Sequence, residues 1–324
     1  MQETLQKYCK AFKKLRRGVT IHGLAPHKPI LLLSVLQAVQ NKLIGHNQIY
    51  ITPELICLFK SNWNSLVKTN HVCNFALPFF HLSKEKTKFW HIIPKDSFGP
   101  ILLVKESVSS LNELNAVVDF AKINEDLFEL SKNQGANKSL QIFLLNEYFS
   151  ETKDNFDDSL ILENDLFKDI ENKLLNESRE EYRKEINHLI QQKDEEEIFL
   201  RGCIFKREIP KIYNYTCCIS GMRIDATASI SMIDACHIVP FSVSYDDTVT
   251  NGIALCPNLH RAFDRGLIGV DENYKVVISS MFKENENSYS IKAFENREIS
   301  LPILKTSYPI KDNFEWHREN VFKI

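Results

Sequence analysis

The chain has 324 residues, of which 44% are hydrophobic and 25% charged. At roughly 100–200 residues per domain this length predicts two domains, and the composition excludes a mainly disordered or fibrous chain. Apolar runs are far shorter than the ~20 residues that cross a bilayer. The opening MQETLQKYCKAFKKLRRG lacks the apolar core of a secretory signal. Eight cysteines, none in a CxxC pair, read as reduced thiols. The expectation is a cytoplasmic protein with no membrane partner.

The net charge of −2 is unevenly spread. Residues 1–100 carry 14 Lys and Arg against 4 Asp and Glu; residues 101–200 carry 11 against 23; residues 201–324 carry 15 of each. A basic front third suits a polyanion, and nucleic acid is the commonest one.

Taken in chain order, Leu5, Tyr8, Phe12 and Leu15 recur at helical spacing with lysines between them. GVTIHGLAPHKP is a loop by its glycines and prolines. ILLLSVLQAVQNKL is apolar nearly all round and predicts a buried central helix. Ile49–Ile51 is a short strand, and Pro53–Val67 a helix with Leu55, Leu58, Phe59, Trp63 and Leu66 on one stripe. ALPFFHL and KFWHII read as two strands, and helices follow near Ser107–Ala121 and Ser139–Tyr148. Residues 1–150 therefore predict an α+β domain. Residues 151–200 are acidic, with a continuous helix expected from about 164 to 197 carrying a sparse apolar stripe (Leu166, Ile170, Leu174, Ile186 and Ile190). It is either a connector or a surface that pairs two copies into a homodimer.

Residues 201–324 carry the chemistry. Ser229–Ile238 predicts a strand, Val239–Thr250 a loop, and Pro257–Arg265 a helix with Gly266 beyond its end. His260 and Asp264, four apart, share a helix face and can hold a divalent cation. His237 ends the strand and can face that site. Phosphodiester hydrolysis needs a base that titrates near neutral pH, a cation on the phosphate and a group that orients the base. His237, His260 and Asn251 can supply them. Cys217 and Cys256 read either as zinc ligands or as buried thiols.

These words resemble the HNH, or ββα-metal, nucleases, and their restriction-enzyme branch in particular: C-x-I-S-G at Cys217–Gly221, A-C-H-I-V-P at Ala235–Pro240, N-G-I-A-L-C at Asn251–Cys256, L-H-R-A-F-D-R-G-L-I-G at Leu259–Gly269, and WHRENVF near the end. The resemblance implies an HNH domain over residues 201–324, a metal-dependent DNA endonuclease. His237 is then the general base, Asn251 the orienting residue, and His260 a metal ligand with Asp264 the next. The implied cofactor is a divalent ion: Mg, Mn, or a softer one such as Co, Ni or Zn. Many relatives carry an Asp or His ligand just before the base, where this chain has Cys236. Cys236 and Asp234 are both left open as ligands, with Asp234 on the opposite strand face from His237.

In the front domain, Lys10, Lys13, Lys14, Arg16 and Arg17 form a basic cluster, and His27 and Lys28 sit between two prolines. Phe79, Phe80, Phe89 and Trp90 read either as a surface for nucleic acid or as strand core. A-P-H-K-P-I-L-L-L (Ala25–Leu33), L-P-F-F-H-L (Leu77–Leu82) and K-F-W-H (Lys88–His91) resemble the DNA sulfur-binding domain of McrA-like restriction enzymes. In that family an apolar cavity holds phosphorothioate sulfur while basic side chains hold the backbone. Arg16 and Arg17 of the basic cluster, together with His27, Lys28, Leu77, Pro78 and His81 at the positions the resemblance marks, are expected to meet double-stranded, modified DNA. Leu77 stands where the family has tyrosine, and His81 where it has a small residue. The implied whole is a modification-dependent restriction endonuclease. The alternatives are a domain that reads unmodified sequence or a modified base, and a binding protein with an inactive nuclease.

Overall fold

The computed structural model describes residues 1–96, 98–99, 106–156, 165–224, 231–285 and 290–323. Two units divide the chain, one of residues 1–168 with 193–200 and the other of residues 169–192 with 201–324. The fold is α+β, as expected. No helix among the described residues is long and apolar enough to cross a membrane.

In the first unit, helix α1 (Gln2–Lys13) turns Tyr8, Ala11 and Phe12 inward. A short hairpin follows, β1 (Val19–Thr20) with β2 (Gly23–Leu24). Helix α2 (His27–Gln40) buries every residue from Pro29 to Val39, as its all-round apolar sequence requires. Beyond β3 (Gln48–Tyr50), α3 (Pro53–Leu66) begins where the Thr52 side chain accepts the Leu55 N–H, with Pro53 in the first turn. Next come α4 (Ala76–His81), β4 (Trp90–Pro94), α5 (Leu111–Val117) and β5 (Val118–Ile123). β5 lies between β3 and β4 in an antiparallel sheet. Helices α6 (Glu125–Lys132) and α7 (Gln134–Tyr148) pack against α1 and α2.

Three readings of this unit change. The stretch 18–29, expected as a loop, folds as the β1–β2 hairpin and the first turn of α2, because Gly23 at φ +100° lets the chain reverse and pair. ALPFFHL is helix α4 rather than a strand. The Asn74 side chain accepts the Leu77 N–H (2.9 Å), and Phe75 and Phe79 meet four residues apart with ring centres 5.5 Å apart. Phe79 and Phe80 are both buried, which a strand with one wet face would forbid for neighbours. The helix expected over Ser107–Ala121 ends at Val117, where β-branched Val117 and Val118 lead into the ladder of β5.

The acidic stretch is not one rod. It forms α8 (Asp165–Asn176), α9 (Arg179–Gln192) and the start of α10 (Glu195–Ile212). Ser178 restarts the chain as an N-cap, its Oγ accepting from the Glu181 N–H (3.3 Å) and donating to the Glu181 carboxylate (2.7 Å). Residues 193–200 belong to the first unit, where the Glu195 carboxylate accepts the Leu111 N–H (2.7 Å) and that of Glu196 the Phe75 N–H (2.7 Å). Residues 169–192 belong to the second. Ile170, Leu174 and Ile186 are fully buried within this one chain, so most of the stripe offered to a second copy is already covered.

The second unit continues with β6 (Asp234–His237), the single turn α11 (Phe241–Ser244), β7 (Gly252–Leu255) and α12 (Pro257–Asp264). β6 and β7 are antiparallel, with His237 opposite Gly252 and Asp234 opposite Leu255. The part of the expected strand at 229–230 lies outside the described residues. After α12, Gly266 adopts φ +68°, and a Cβ there would lie 1.9 Å from the Val321 carbonyl oxygen. Only glycine closes this turn. β8 (Ile268–Val270) and β9 (Val276–Ile278) form a second hairpin, and α13 (Lys311–Asn320) packs on β8.

Helix α13 brings a pH dependence to this unit. His317 is 2% exposed, stacks on Phe263 (3.7 Å between ring centres) and donates from Nε2 to the Phe263 carbonyl (3.0 Å). Burial holds its pKa down at about 4. The unfolded chain takes the proton near pH 6.5 and the folded chain only near pH 4, so stability falls as pH drops through that window. At ~1.4 kcal/mol per pH unit the loss approaches about 3 kcal/mol. Thermal melts across that window should show the decline, and His317→Phe should flatten it. An unchanged slope in the variant would assign the dependence to another group.

Candidate functional site

The donors of the second unit gather where β6 meets α12. Side chains alternate along β6, so Asp234 and Cys236 share one face and His237 takes the other. Pro257 starts α12, and Leu259, Ala262 and Phe263 bury one side of it. His260 and Asp264 are left on a common stripe. Cys236 Sγ, the imidazole of His260 and the carboxylate of Asp264 offer donor atoms all within 4.8 Å of one another. His260 Nε2 is 3.4 Å from Asp264, and its Nδ1 is 3.2 Å from Asp234. The Cys236 thiol, 3.8 Å from Asp264, is pushed well up by complete burial and by that neighbouring carboxylate.

His260 and Asp264 are thus brought together as the helical spacing predicts. His237 is not among these donors; strand alternation sets Cys236 toward them instead. The chemistry of the set fits a divalent cation, which Cys236, His260 and Asp264 would hold, with Asp234 beside them. Asp264→Ala should weaken divalent-ion binding by about 10-fold or more, read by equilibrium dialysis of the full chain with Mn²⁺ or Zn²⁺. Undiminished binding would place the ion elsewhere.

His237 lies in its own setting. Its ring stacks on Phe205 of α10 (3.9 Å between centres, 8° between planes). Nε2 is 2.7 Å from a carboxylate oxygen of Asp247, whose side chain is 2% exposed. A carboxylate only accepts, so in the neutral form of the ring Nε2 is the nitrogen that carries the proton and Nδ1 the one that accepts. The side chain of Asn251, fully buried, hydrogen-bonds elsewhere than to His237. Its amide donates to the carbonyls of Val239 and Asp246 (both 2.9 Å), and its oxygen accepts from the Val239 N–H and the Asn313 amide (both 3.0 Å). Asn251 therefore ties both ends of the loop that delivers Asp247, and Asp247 meets the imidazole.

The same loop is braced from α9. Arg183 donates to the Ser244 carbonyl (2.7 Å), and Arg179 lies 3.5 Å from buried Asp246. Sequence reasoning missed Asp247 and Phe205. Asp247 was visible as half of an acidic pair in a loop, but no regular spacing connects it to His237. Cys217 and Cys256 are hydrogen-bonded to each other, which pushes the Cys217 thiol down, helped by Ser220 whose N–H meets its sulfur at 3.4 Å, and pushes Cys256 up. Among the described residues no third metal-capable side chain joins them.

In the first unit, Arg16, Arg17, His27, Lys28, Leu77, Pro78 and His81 all line one open cavity of about 530 Å³. Leu77 and Pro78 of α4 form its apolar wall, whereas Phe79, Phe80, Phe89 and Trp90 are core. Lys28 pairs with the buried Glu85 carboxylate (2.5 Å), which also accepts the Arg16 N–H (3.2 Å). His27 is neutral: burial holds it at about 4, its ring packs 4.6 Å from that of Trp63, and Nε2 donates to the Val72 carbonyl (2.9 Å). His81 is likewise shifted down by burial and bonds Ser107. The expected basic loop therefore presents a neutral ring and a compensated ammonium. Positive charge at the cavity comes from Arg16, Arg17 and Lys84, with the N-terminus of α2 adding its dipole.

β6, β7 and α12 thus form a strand pair followed by a helix, with cation-capable donors on strand and helix and a histidine on the opposite strand face. Residues 217–271 match the HNH endonuclease family, a window that contains Cys236, His237, Asn251, His260 and Asp264. The chain carries an HNH endonuclease domain, a class that uses a divalent metal and acts on DNA. No curated protein matches it. One similar solved structure is described as "Modification dependent TagI restriction endonuclease". It is 21% identical with a TM-score of 0.27, and the likeness covers 36% of this chain and 37% of that one. The chain thus spans little more than a third of that enzyme's length.

Proposed function

We propose that this chain is a modification-dependent restriction endonuclease whose first unit binds duplex DNA bearing a phosphorothioate linkage and whose second unit hydrolyses a phosphodiester bond. The observation that carries the specificity is the cavity of the first unit. An apolar wall of Leu77 and Pro78, a neutral His27 and an arginine rim are gathered at one opening. Sulfur is larger and less strongly hydrated than oxygen, so an apolar wall favours it where an ordinary phosphate oxygen would lose water without return. Arginines at the rim suit the flanking phosphates.

In the nuclease unit, His237 accepts a proton at Nδ1 from the attacking water, while Asp247 holds its other nitrogen and stabilises the imidazolium that results. Asn251 keeps the loop that carries Asp247 in place. The cation, when bound, neutralises charge on the phosphate and supports the leaving 3′ oxygen. A thiolate, an imidazole and a carboxylate together suit Mn²⁺, Co²⁺, Ni²⁺ or Zn²⁺ better than Mg²⁺.

The test is a cleavage panel of plain, methylated and phosphorothioated duplexes across these ions. Cleavage confined to phosphorothioated DNA is the expected result. Equal cleavage of all three would remove the modification dependence, and cleavage of the methylated duplex alone would make the cavity a reader of bases.

A further inference from the structure

We propose that the β1–β2 hairpin is an apolar wedge that enters duplex DNA beside the cavity and unstacks a base step. The inference rests on reading the first unit as the DNA-binding one, and it concerns residues that the cavity reading leaves unused. Val19 is 84% exposed, Ile21 95% and Leu24 51%. Val19 and Leu24 are cross-strand partners, so their side chains share a face, and Ile21 sits in the two-residue turn between the strands. Single exposed apolar residues need no explanation, but three on one six-residue hairpin form a patch.

The hairpin is held in place. The Thr20 hydroxyl bonds His71 (2.8 Å), whose other ring nitrogen bonds Thr69 (2.7 Å). The Ala25 N–H closes the base of the loop on the Gly18 carbonyl (2.9 Å), the His22 N–H bonds the Thr20 hydroxyl (3.0 Å), and Gly23 takes the φ of +100° that ends the turn. An anchored hairpin with an apolar tip is a preformed probe rather than a collapsed loop.

Charge decides its partner. Gly18 and Thr20 of this segment line the same cavity as Arg16, Arg17 and Lys84, so the apolar tip rises from a cationic rim. The first 100 residues carry 14 basic against 4 acidic side chains. A duplex offers both phosphates to the rim and a groove to the tip, a pairing of dense negative charge with an apolar slot that matches this surface. β-Branched and leucine side chains inserted at a base step, flanked by basic contacts to the backbone, are a physically sound way to bend and open a duplex.

The experiment uses the full chain in EDTA with a fluorescent phosphorothioated duplex and its plain twin, each carrying 2-aminopurine at successive steps. Wild type should brighten 2-aminopurine at one step next to the modified linkage. Ile21→Ser should weaken binding about 10-fold, abolish the brightening and leave the slope of affinity against salt unchanged, because no phosphate contact is lost. Ile21→Phe should retain both binding and brightening. Arg16→Gln should weaken binding with a shallower salt slope. If Ile21→Ser binds and brightens as wild type while Arg16→Gln weakens binding, the wedge is refuted and the DNA-binding role stands. Should neither variant alter binding, the DNA role of this unit falls as well. Ile21→Phe behaving like Ile21→Ser would overturn the wedge, as would a halved mass for Ile21→Ser in light scattering, which would make the patch a self-association surface.

Discussion

His237→Ala should reduce cleavage by about 100- to 10,000-fold while leaving DNA affinity unchanged. The range is that of a general base, and it applies because Nδ1 of this ring is the nitrogen left to accept a proton once Asp247 fixes Nε2. Asp247→Asn retains the shape but can turn its amide toward Nε2, which favours the other tautomer. It should therefore cut the rate by a smaller factor with little change in substrate affinity. Single-turnover cleavage of a duplex, with binding measured separately in EDTA, distinguishes the two steps. His237 contacts Phe205 by stacking, so circular dichroism of the alanine variant controls for local collapse. Wild-type cleavage by His237→Ala would assign the base to another residue and leave the Cys236–His260–Asp264 cluster without its partner.

What was legible in the sequence follows from how local each feature is. The i, i+4 relation of His260 and Asp264, the buried run of α2 and the glycine after α12 are set within one or two turns of chain, and each is present. Seven residues from three separated stretches were expected to act together in the front domain, and all line one cavity. Their charge was not legible, because Glu85 lies 57 residues from Lys28 and nothing in the local pattern pairs them. The strand assigned to ALPFFHL failed because two adjacent phenylalanines look alike in a strand or a helix, and the Asn74 cap decides the outcome. The break at Ser178 was readable: a serine followed three residues later by glutamate is a helix start, but an unbroken run free of glycine and proline masked it. The place of Cys236 in the donor set was left open, and strand alternation resolves its direction, because Asp234 and Cys236 must share a face that excludes His237.

The largest effect on stability is expected at Asn251. This side chain makes five hydrogen bonds in a site with no solvent exposure: two carbonyls and the Ser244 hydroxyl accept from it, and one backbone N–H and one amide donate to it. Truncation to alanine strands the Asp246 carbonyl and the Val239 N–H, each at about 1–3 kcal/mol before relaxation, while the Val239 carbonyl keeps the Ser244 hydroxyl (3.3 Å) and the Asn313 amide keeps the Thr250 carbonyl (3.5 Å). The net loss should reach about 3 kcal/mol or more in the unfolding of the second unit, seen as a lower denaturant midpoint with unchanged slope. Asn251→Asp keeps the shape and the two acceptor contacts but loses both donors, so it should fall between wild type and alanine. Cleavage should decline in step with stability across the series, because Asn251 acts by holding the 239–247 loop that brings Asp247 to the imidazole. A variant that folds with wild-type stability yet does not cleave would move Asn251 from positioning to direct contact with the substrate.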